Sequence, residues 1–125
     1  MKYYHVWFQT KRRKRILLGE IDNQIHELFP KIAEEKGYNL IAFETMIDHT
    51  HLLLGLTEEQ ELSVVIKMFK GITARRMFQE FPMLKFQIRS NNFWARRFEA
   101  KEVAPRNLAI VIQYINDQKK DFGGL

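Results

Sequence analysis

The 125-residue chain contains no cysteine, which excludes a disulfide scaffold, a thiolate metal site and a cysteine nucleophile. It has no apolar run near the ~20 residues that a membrane-spanning helix needs, and no apolar signal region at its first residues. It also lacks a Gly-rich phosphate-binding loop and a low-complexity linker. From these absences and the length we expect one soluble, cytoplasmic domain over residues 1–125 that uses no nucleotide cofactor.

The basic residues of the chain are clustered rather than evenly spread. Lys and Arg outnumber Asp and Glu by 20 to 15, for a net charge of +5, and no acidic residue occurs between Leu62 and Gln79. The clusters are Lys11, Arg12, Arg13, Lys14 and Arg15; Lys67, Lys70, Arg75 and Arg76; and Arg89, Arg96 and Arg97. One such cluster is usually a solvated surface, but three in a small domain favour a polyanionic partner.

The hydrophobic pattern predicts the element order β–α–β–β–α–β–α. The predicted strands are 2–10, 38–47, 51–56 and 92–100, and the predicted helices are 20–36, 62–81 and 107–119. Pro30 is expected to kink or divide the first helix, and Gly37 to end it. Residues 83–90 show no clear pattern, and residues 121–125 are expected to fray. The order predicts an α+β fold, a ferredoxin-like (RRM-like) antiparallel sheet with helices on one face.

Two histidines stand directly before an apolar run, at His49 and His51. Side chains alternate along a strand, so residues two apart project from the same face and their imidazoles can converge on one metal ion. A bare His-x-His is more often a pair of structural histidines beside a turn. The apolar strand that follows would hold this pair rigidly, which favours a metal site.

A second candidate pair lies in the predicted last helix. Tyr114 and Gln118 are four residues apart and therefore share a helix face, away from the apolar stripe of that helix. Tyrosine can act as a covalent nucleophile, but its pKa near 10 requires help from a metal or a base. Taken alone, a half-buried tyrosine and a solvated glutamine are the simpler interpretation.

Five segments carry a resemblance to a known family. They are YHVWFQTKRR (4–13), MIDHTHLLL (46–54), IKMFKGITAR (66–75), FWARRF (93–98) and VIQYINDQ (111–118). In this order they resemble the small single-tyrosine HUH transposases, the insertion-sequence-two-hundred-like class, whose relatives include the REP-associated tyrosine transposases. The chain departs from the family pattern at Thr50, where a bulky apolar residue is usual, at Ile47, where proline is common, and over residues 99–107.

The resemblance implies a reaction on single-stranded DNA that carries a hairpin near the end of a mobile element. Tyr114, on a C-terminal catalytic helix, would form a covalent 5′-phosphotyrosine and leave a free 3′-hydroxyl. The residues expected to contact DNA phosphates are Lys11, Arg12, Arg13, Lys14, Arg15, Lys67, Lys70, Arg75, Arg96 and Arg97. Trp7, Phe93 or Trp94 would stack on an unpaired base, although core packing is the stronger interpretation for Phe93. A nucleoid-associated location would follow.

The resemblance also implies the remaining parts of the site. His49, His51 and Gln118 would bind one divalent metal, Mg²⁺ or Mn²⁺, with Asp48 and Glu44 as alternative ligands. The family works as a homodimer whose strands join in one sheet, which would put Tyr114 in trans to the histidines. No membrane contact is expected.

Other functions stay open at this point. A domesticated DNA-binding protein of the same fold would keep the basic clusters and lose turnover. An RNA-binding module of the RRM type shares the element order, but its aromatic Gly-containing strand motif is absent from the sequence. A metal-dependent hydrolase, with water in place of Tyr114, is a weaker possibility.

Overall fold

A four-stranded antiparallel sheet organises the protein, which we describe over residues 1–119 from a computed structural model. The strands are β1 (Lys2–Gln9), β2 (Asn39–Thr45), β3 (His49–Leu56) and β4 (Glu99–Val103), in the sheet order β2-β3-β1-β4. The helices are α1 (Gly19–Lys36), α2 (Leu62–Glu80), α3 (Leu84–Ile88) and α4 (Leu108–Asn116). The predicted α+β class with a ferredoxin-like antiparallel sheet is confirmed. The predicted fraying of residues 121–125 lies outside the described residues.

The two faces of the sheet bury different helices. On β3, Leu52 and Leu54 belong to the main core, in which α1 and α2 pack against one face. Leu53 points the opposite way and packs with Val103 of β4 and Ile115 of α4. This division follows from the alternation of side chains along a strand. It sets α4 on the face opposite α1 and α2, so every odd-numbered residue of β3 points towards the side of α4.

Helix α1 is not divided at Pro30. It continues as one helix to Lys36, although Pro30 lacks the N–H that would bond to the carbonyl of the preceding turn. The buried side chains Ile25, Phe29 and Ile32 hold both halves against the core. Gly37 ends the helix as predicted, with a φ of 71° in the left-handed region that glycine adopts without strain.

The fourth strand lies later in the chain than predicted. Residues 92–98 form a loop, and the strand is Glu99–Val103. The loop does follow the end of β1, because Ala95 N–H donates to the Gln9 carbonyl at 2.8 Å and Lys11 N–H donates to the Phe93 carbonyl at 2.9 Å. Phe93 and Trp94 are buried by tertiary packing rather than within a strand, and that burial produced the strand-like pattern. Residues 83–90, which showed no clear pattern, contain α3 with Leu84 and Ile88 buried.

No helix within residues 1–119 is long and apolar enough to cross a membrane.

Candidate active site

Strand β3 presents two histidines on the face that α4 covers. It begins at His49, two residues earlier than predicted, after a tight turn in which Met46 N–H donates to the His49 carbonyl at 2.7 Å. The rings of His49 and His51 are 5.1 Å apart. Thr50 between them points into the core, where its hydroxyl donates to the Glu44 carbonyl at 3.0 Å. The polar residue at this position is therefore satisfied, and both histidines share one face as predicted.

A third histidine, which the sequence analysis missed, belongs to the same cluster. Strand β1 pairs antiparallel with β3 so that His5 lies opposite Leu53 and Trp7 lies opposite His51. This register brings His5 Nε2 within 2.9 Å of His51 Nδ1. The alternation of β1 indicates that His5 and Trp7 lie on the same face of the sheet. Only the pairing register shows that both lie beside His51 of β3.

Helix α4 brings Tyr114 to this cluster within a single chain. The Tyr114 ring lies 5.7 Å from the His5 ring and 6.0 Å from the His51 ring, edge-on to both. Its side chain is half-exposed, so a substrate can reach it. This is the cis arrangement; the trans arrangement implied by the resemblance is a property of a dimer and stays a prediction.

The Gln118 side chain hydrogen-bonds back to α4 in the described part of the chain. Helix α4 ends at Asn116, and Gln118 follows in a turn with its side chain almost fully buried. Its amide nitrogen donates to the Tyr114 carbonyl at 3.2 Å. Among residues 1–119, no three His, Cys, Asp or Glu side chains form a group with metal-site geometry. The role of Gln118 as a third ligand therefore stays a prediction.

Both histidines of the pair use Nδ1 for a hydrogen bond. His49 Nδ1 lies 2.7 Å from Asp48 Oδ1, and Asp48 Oδ2 lies 3.3 Å from a guanidinium nitrogen of Arg13. His51 Nδ1 is bonded to His5. In the described part of the chain neither Nε2 atom makes a hydrogen bond, so both remain available as ligand atoms. Asp48, an alternative metal ligand in the sequence analysis, has both of its oxygens engaged.

Glu44, the other alternative ligand, lies on β2 opposite His51 and belongs to a polar cluster at this edge of the sheet. One of its oxygens accepts the Thr45 N–H at 2.9 Å and lies 3.2 Å from His26 Nε2. The same oxygen lies 3.4 Å from the Lys119 ammonium, which also bonds Asp22 at 2.9 Å. These contacts tie the segment after α4 to α1 and β2, and so help to position Tyr114.

Two histidines of the site, His5 and His51, have lowered pKa values, which favours their neutral form. Burial, together with the nearby His5 and His49, lowers the pKa of His51 to about 4. Burial, together with the charge of Lys101 on the neighbouring strand, lowers the pKa of His5. Neutral imidazole is the form that binds metal ions. The imidazoles of His49 and His51, with open Nε2 atoms, are a donor set that fits a divalent cation.

Basic residues from the three sequence clusters converge on one groove between α2 and the loop 91–98. The groove has a volume of about 710 Å³ and is lined by Lys11, Lys67, Lys70 and Arg96. The exposed members of the predicted DNA-contacting set are Arg12, Arg13, Arg15, Lys67, Arg75, Arg96 and Arg97; Lys11, Lys14 and Lys70 are partly buried. The groove therefore offers an anion-binding surface separate from the histidines.

Lys70 differs from the other basic residues. Its ammonium donates to the carbonyls of Ala95, Arg96 and Arg97 at 2.6, 3.2 and 3.4 Å. Burial lowers its pKa. An ammonium has three hydrogens, so these contacts account for all of its donors. Lys70 thus holds the 91–98 loop in place, and a direct contact of Lys70 with DNA stays a prediction.

Two of the aromatic residues proposed to stack on a base lie in the core. Phe93 is fully buried, and Trp94 is 5% exposed. The Trp94 indole N–H donates to Thr73 Oγ1 at 2.7 Å. The burial of both rings contradicts the stacking interpretation. Trp7 is different, because it is only partly buried and lies on the histidine face, 4.9 Å from the His5 ring.

Comparison with known sequences identifies relatives along nearly the whole chain. The profile of the family described as "Transposase IS200 like" matches residues 1–118. The ISDra2 transposase TnpA of Deinococcus radiodurans is 34% identical over 115 residues, which is 92% of this chain and 82% of that protein. The transposase of insertion sequence element IS200 from Salmonella typhimurium is 28% identical over 118 residues, which is 94% of this chain and 77% of that protein.

Solved structures give the same result for the fold. A crystal structure of a transposase from Deinococcus radiodurans R1 superposes with a TM-score of 0.76 at 35% identity, covering 94% of this chain and 92% of that one. A REP-associated tyrosine transposase bound to a REP hairpin superposes with a TM-score of 0.70 at 15% identity, covering 99% of this chain and 70% of that one. The second likeness concerns the fold alone.

Proposed function

The chain belongs to the IS200-like transposase family, and from this membership and the geometry of the site we propose that it cleaves and rejoins single-stranded DNA through Tyr114. The observation that carries the proposal is the position of the Tyr114 ring, 6.0 Å from His51 on the face that both histidines share. A half-exposed tyrosine beside neutral imidazoles suits a nucleophile that acts on a substrate from solution.

The proposed reaction exchanges one phosphate ester for another. Tyr114 Oη attacks the scissile phosphorus, the bond between phosphorus and the 3′ oxygen breaks, and the tyrosine proton is lost as the 3′ oxygen gains one. The number of phosphate ester bonds is unchanged, so the free 3′-hydroxyl of another strand can reverse the step without ATP. A divalent cation, Mg²⁺ or Mn²⁺, would polarise the scissile phosphate when bound. His49 and His51 would hold it through Nε2, with Gln118 as the proposed third ligand.

The proposed substrate carries a DNA hairpin. The structural neighbour that binds a REP hairpin supports this proposal, as does the groove in which Lys11, Lys67 and Arg96 converge. Phosphate contacts of this kind position the nucleic acid and make its binding sensitive to salt. The remaining proposed contacts are Arg12, Arg13, Lys14, Arg15, Lys70, Arg75 and Arg97.

The proposed active form is a homodimer. Strand β4 is an edge of the sheet, and all of its residues except Val103 are exposed. Its free edge can pair with a second strand. Ile110, on the same helix as Tyr114, is a large exposed apolar side chain. Light scattering tests the dimer, and a monomer at working concentration would contradict it.

The deciding experiment is a covalent-adduct assay. The protein is mixed with Mn²⁺ and labelled single-stranded oligonucleotides from the DNA that flanks its reading frame, then run on a denaturing gel. We expect a protein–DNA band with the wild type and none with Tyr114→Phe or His49→Ala. Tyr38→Phe is the matched control, because Tyr38 packs against Phe69 away from the site and should leave the band unchanged.

The other outcomes of this assay are also informative. Hairpin binding without an adduct would overturn the proposed chemistry and indicate a DNA-binding protein without turnover. A mixture of Tyr114→Phe and His49→Ala distinguishes the two site arrangements, since a mixed dimer regains one intact site only when Tyr114 acts in trans. Recovery of the band in the mixture would establish trans assembly, and its absence would establish the cis arrangement of the single chain.

A further inference from the structure

We propose that His5 is a positioning residue of the histidine pair: it accepts the Nδ1 proton of His51 and thereby leaves the His51 Nε2 lone pair directed at a divalent cation. The inference rests on the proposed function for the cation. The hydrogen bond itself, 2.9 Å between His5 Nε2 and His51 Nδ1, is a property of the chain.

The position of His5 is set by the sheet. Strands β1 and β3 are the two central strands, and their register puts His5 opposite Leu53, diagonal to His51. The two rings lie 5.1 Å apart with their planes 32° from parallel, and the Trp7 ring lies 4.9 Å from His5 on its own strand.

The direction of the hydrogen bond follows from the chemistry of a neutral imidazole. A neutral imidazole has one N–H and one lone pair. If His51 binds a cation through Nε2, its proton must be on Nδ1, and Nδ1 is the atom that meets His5. His5 Nε2 must then accept, so the proton of His5 is on its own Nδ1. A hydrogen bond to the second nitrogen is the usual device that fixes the tautomer and orientation of a metal-binding histidine.

The other histidine of the pair shows the same arrangement. His49 Nδ1 bonds to Asp48 Oδ1 at 2.7 Å, and Arg13 holds the second oxygen of Asp48. Each histidine thus has its Nδ1 paired with an acceptor and its Nε2 open. The acceptor is a carboxylate for one histidine and the imidazole of His5 for the other.

Two other roles for His5 are weaker. As a third ligand through Nε2, His5 would have to give up the bond to His51, and residues 1–119 contain no group of three such side chains with metal-site geometry. As a packing residue alone, His5 would need only its ring volume beside Trp7. The proposal and the packing role predict opposite results for two substitutions.

The test compares His5→Gln with His5→Phe. Gln places an amide oxygen near the position of the histidine Nε2 and so keeps a hydrogen-bond acceptor. Phe keeps an aromatic ring but removes the acceptor. We expect His5→Phe to weaken Mn²⁺ binding by about 10–100-fold in calorimetric titration, the usual loss when such a partner is removed, and His5→Gln to restore most of the affinity. Tyr38→Phe is the control, since Tyr38 packs against Phe69 away from the histidines.

A second readout does not depend on activity or on bound metal. Nitrogen-15 NMR of the metal-free wild type should show His51 protonated at Nδ1 and unprotonated at Nε2, and His5→Phe should lose this preference. Equal Mn²⁺ affinity in wild type and His5→Phe, or His51 protonated at Nε2, would overturn the role of His5. Failure of the wild type to bind Mn²⁺ would instead overturn the proposed metal-dependent function, and the NMR result would still test His5.

Discussion

The hydrogen bond between Trp94 and Thr73 allows a sharp test of how the 91–98 loop is held. Thr73 is fully buried on α2; its hydroxyl accepts the Trp94 N–H at 2.7 Å and donates to the Phe69 carbonyl at 2.7 Å. Thr73→Val keeps the shape of the side chain but leaves the indole N–H buried without an acceptor. Because an unsatisfied buried donor costs about 1–3 kcal/mol, we expect the free energy of unfolding to fall by that amount.

Control variants separate the hydrogen bond from packing. Thr73→Ser keeps the hydroxyl and loses one methyl, so its cost should be about 1 kcal/mol. Trp94→Phe removes the donor, and in that background Thr73→Val should cost little, since no orphaned group remains. Urea unfolding followed by far-ultraviolet circular dichroism measures the wild type and the four variants without relying on tryptophan fluorescence. An equal cost of Thr73→Val in both backgrounds would show that the bond does not hold the loop.

Two further predictions concern the charged groups. Lys70→Met should lower the free energy of unfolding by about 1–2 kcal/mol, because three carbonyls lose a charged donor. The exposed Lys67→Met should leave stability unchanged and reduce the salt dependence of hairpin binding by about one unit of log–log slope. Urea unfolding measures the stability of both variants, and fluorescence anisotropy over a salt series measures hairpin binding. A stability loss with Lys67→Met but not with Lys70→Met would refute the structural role of Lys70. Because the pKa of His51 is about 4 in the folded protein and 6.5 in the unfolded chain, the unfolded chain binds more protons between these values. The metal-free protein should therefore lose stability as pH falls from 6.5 to 4, by less than the ~3 kcal/mol of the full shift, because solvent partly screens His51. His51→Gln does not titrate in this range, so its free energy of unfolding should fall less than that of the wild type between pH 7 and pH 4.5, as measured by urea unfolding. Equal falls in the two proteins would contradict the assignment to His51.

Local patterns were sufficient for the parts of the fold that depend on neighbouring residues. Alternation in the segment before Leu52 correctly placed His49 and His51 on one face. Gly37 marked the end of α1 because only a residue that tolerates positive φ suits that position. The predicted last helix was found, although α4 ends at Asn116 and leaves Gln118 in the turn that follows.

The same local reasoning failed where burial came from distant parts of the chain. The aromatic run around Trp94 resembled a strand because β-formers and buried loop aromatics have the same composition. Its burial depends on α2, which supplies both Thr73 and Lys70 to hold the loop. Pro30 was expected to kink or divide α1, but buried residues before and after it, such as Ile25 and Ile32, keep the helix undivided.

The sequence by itself determined which groups could carry the chemistry: a histidine pair, a tyrosine four residues before a glutamine, and three basic clusters. The tertiary structure decided how these groups combine. Only the antiparallel register of β1 and β3 brings His5 to His51, since a shift of one residue would turn His5 to the other face. Only the docking of α4 on the face opposite α1 and α2 brings Tyr114 to the histidines. Both are long-range pairings, and their energies come from residues far apart in the chain.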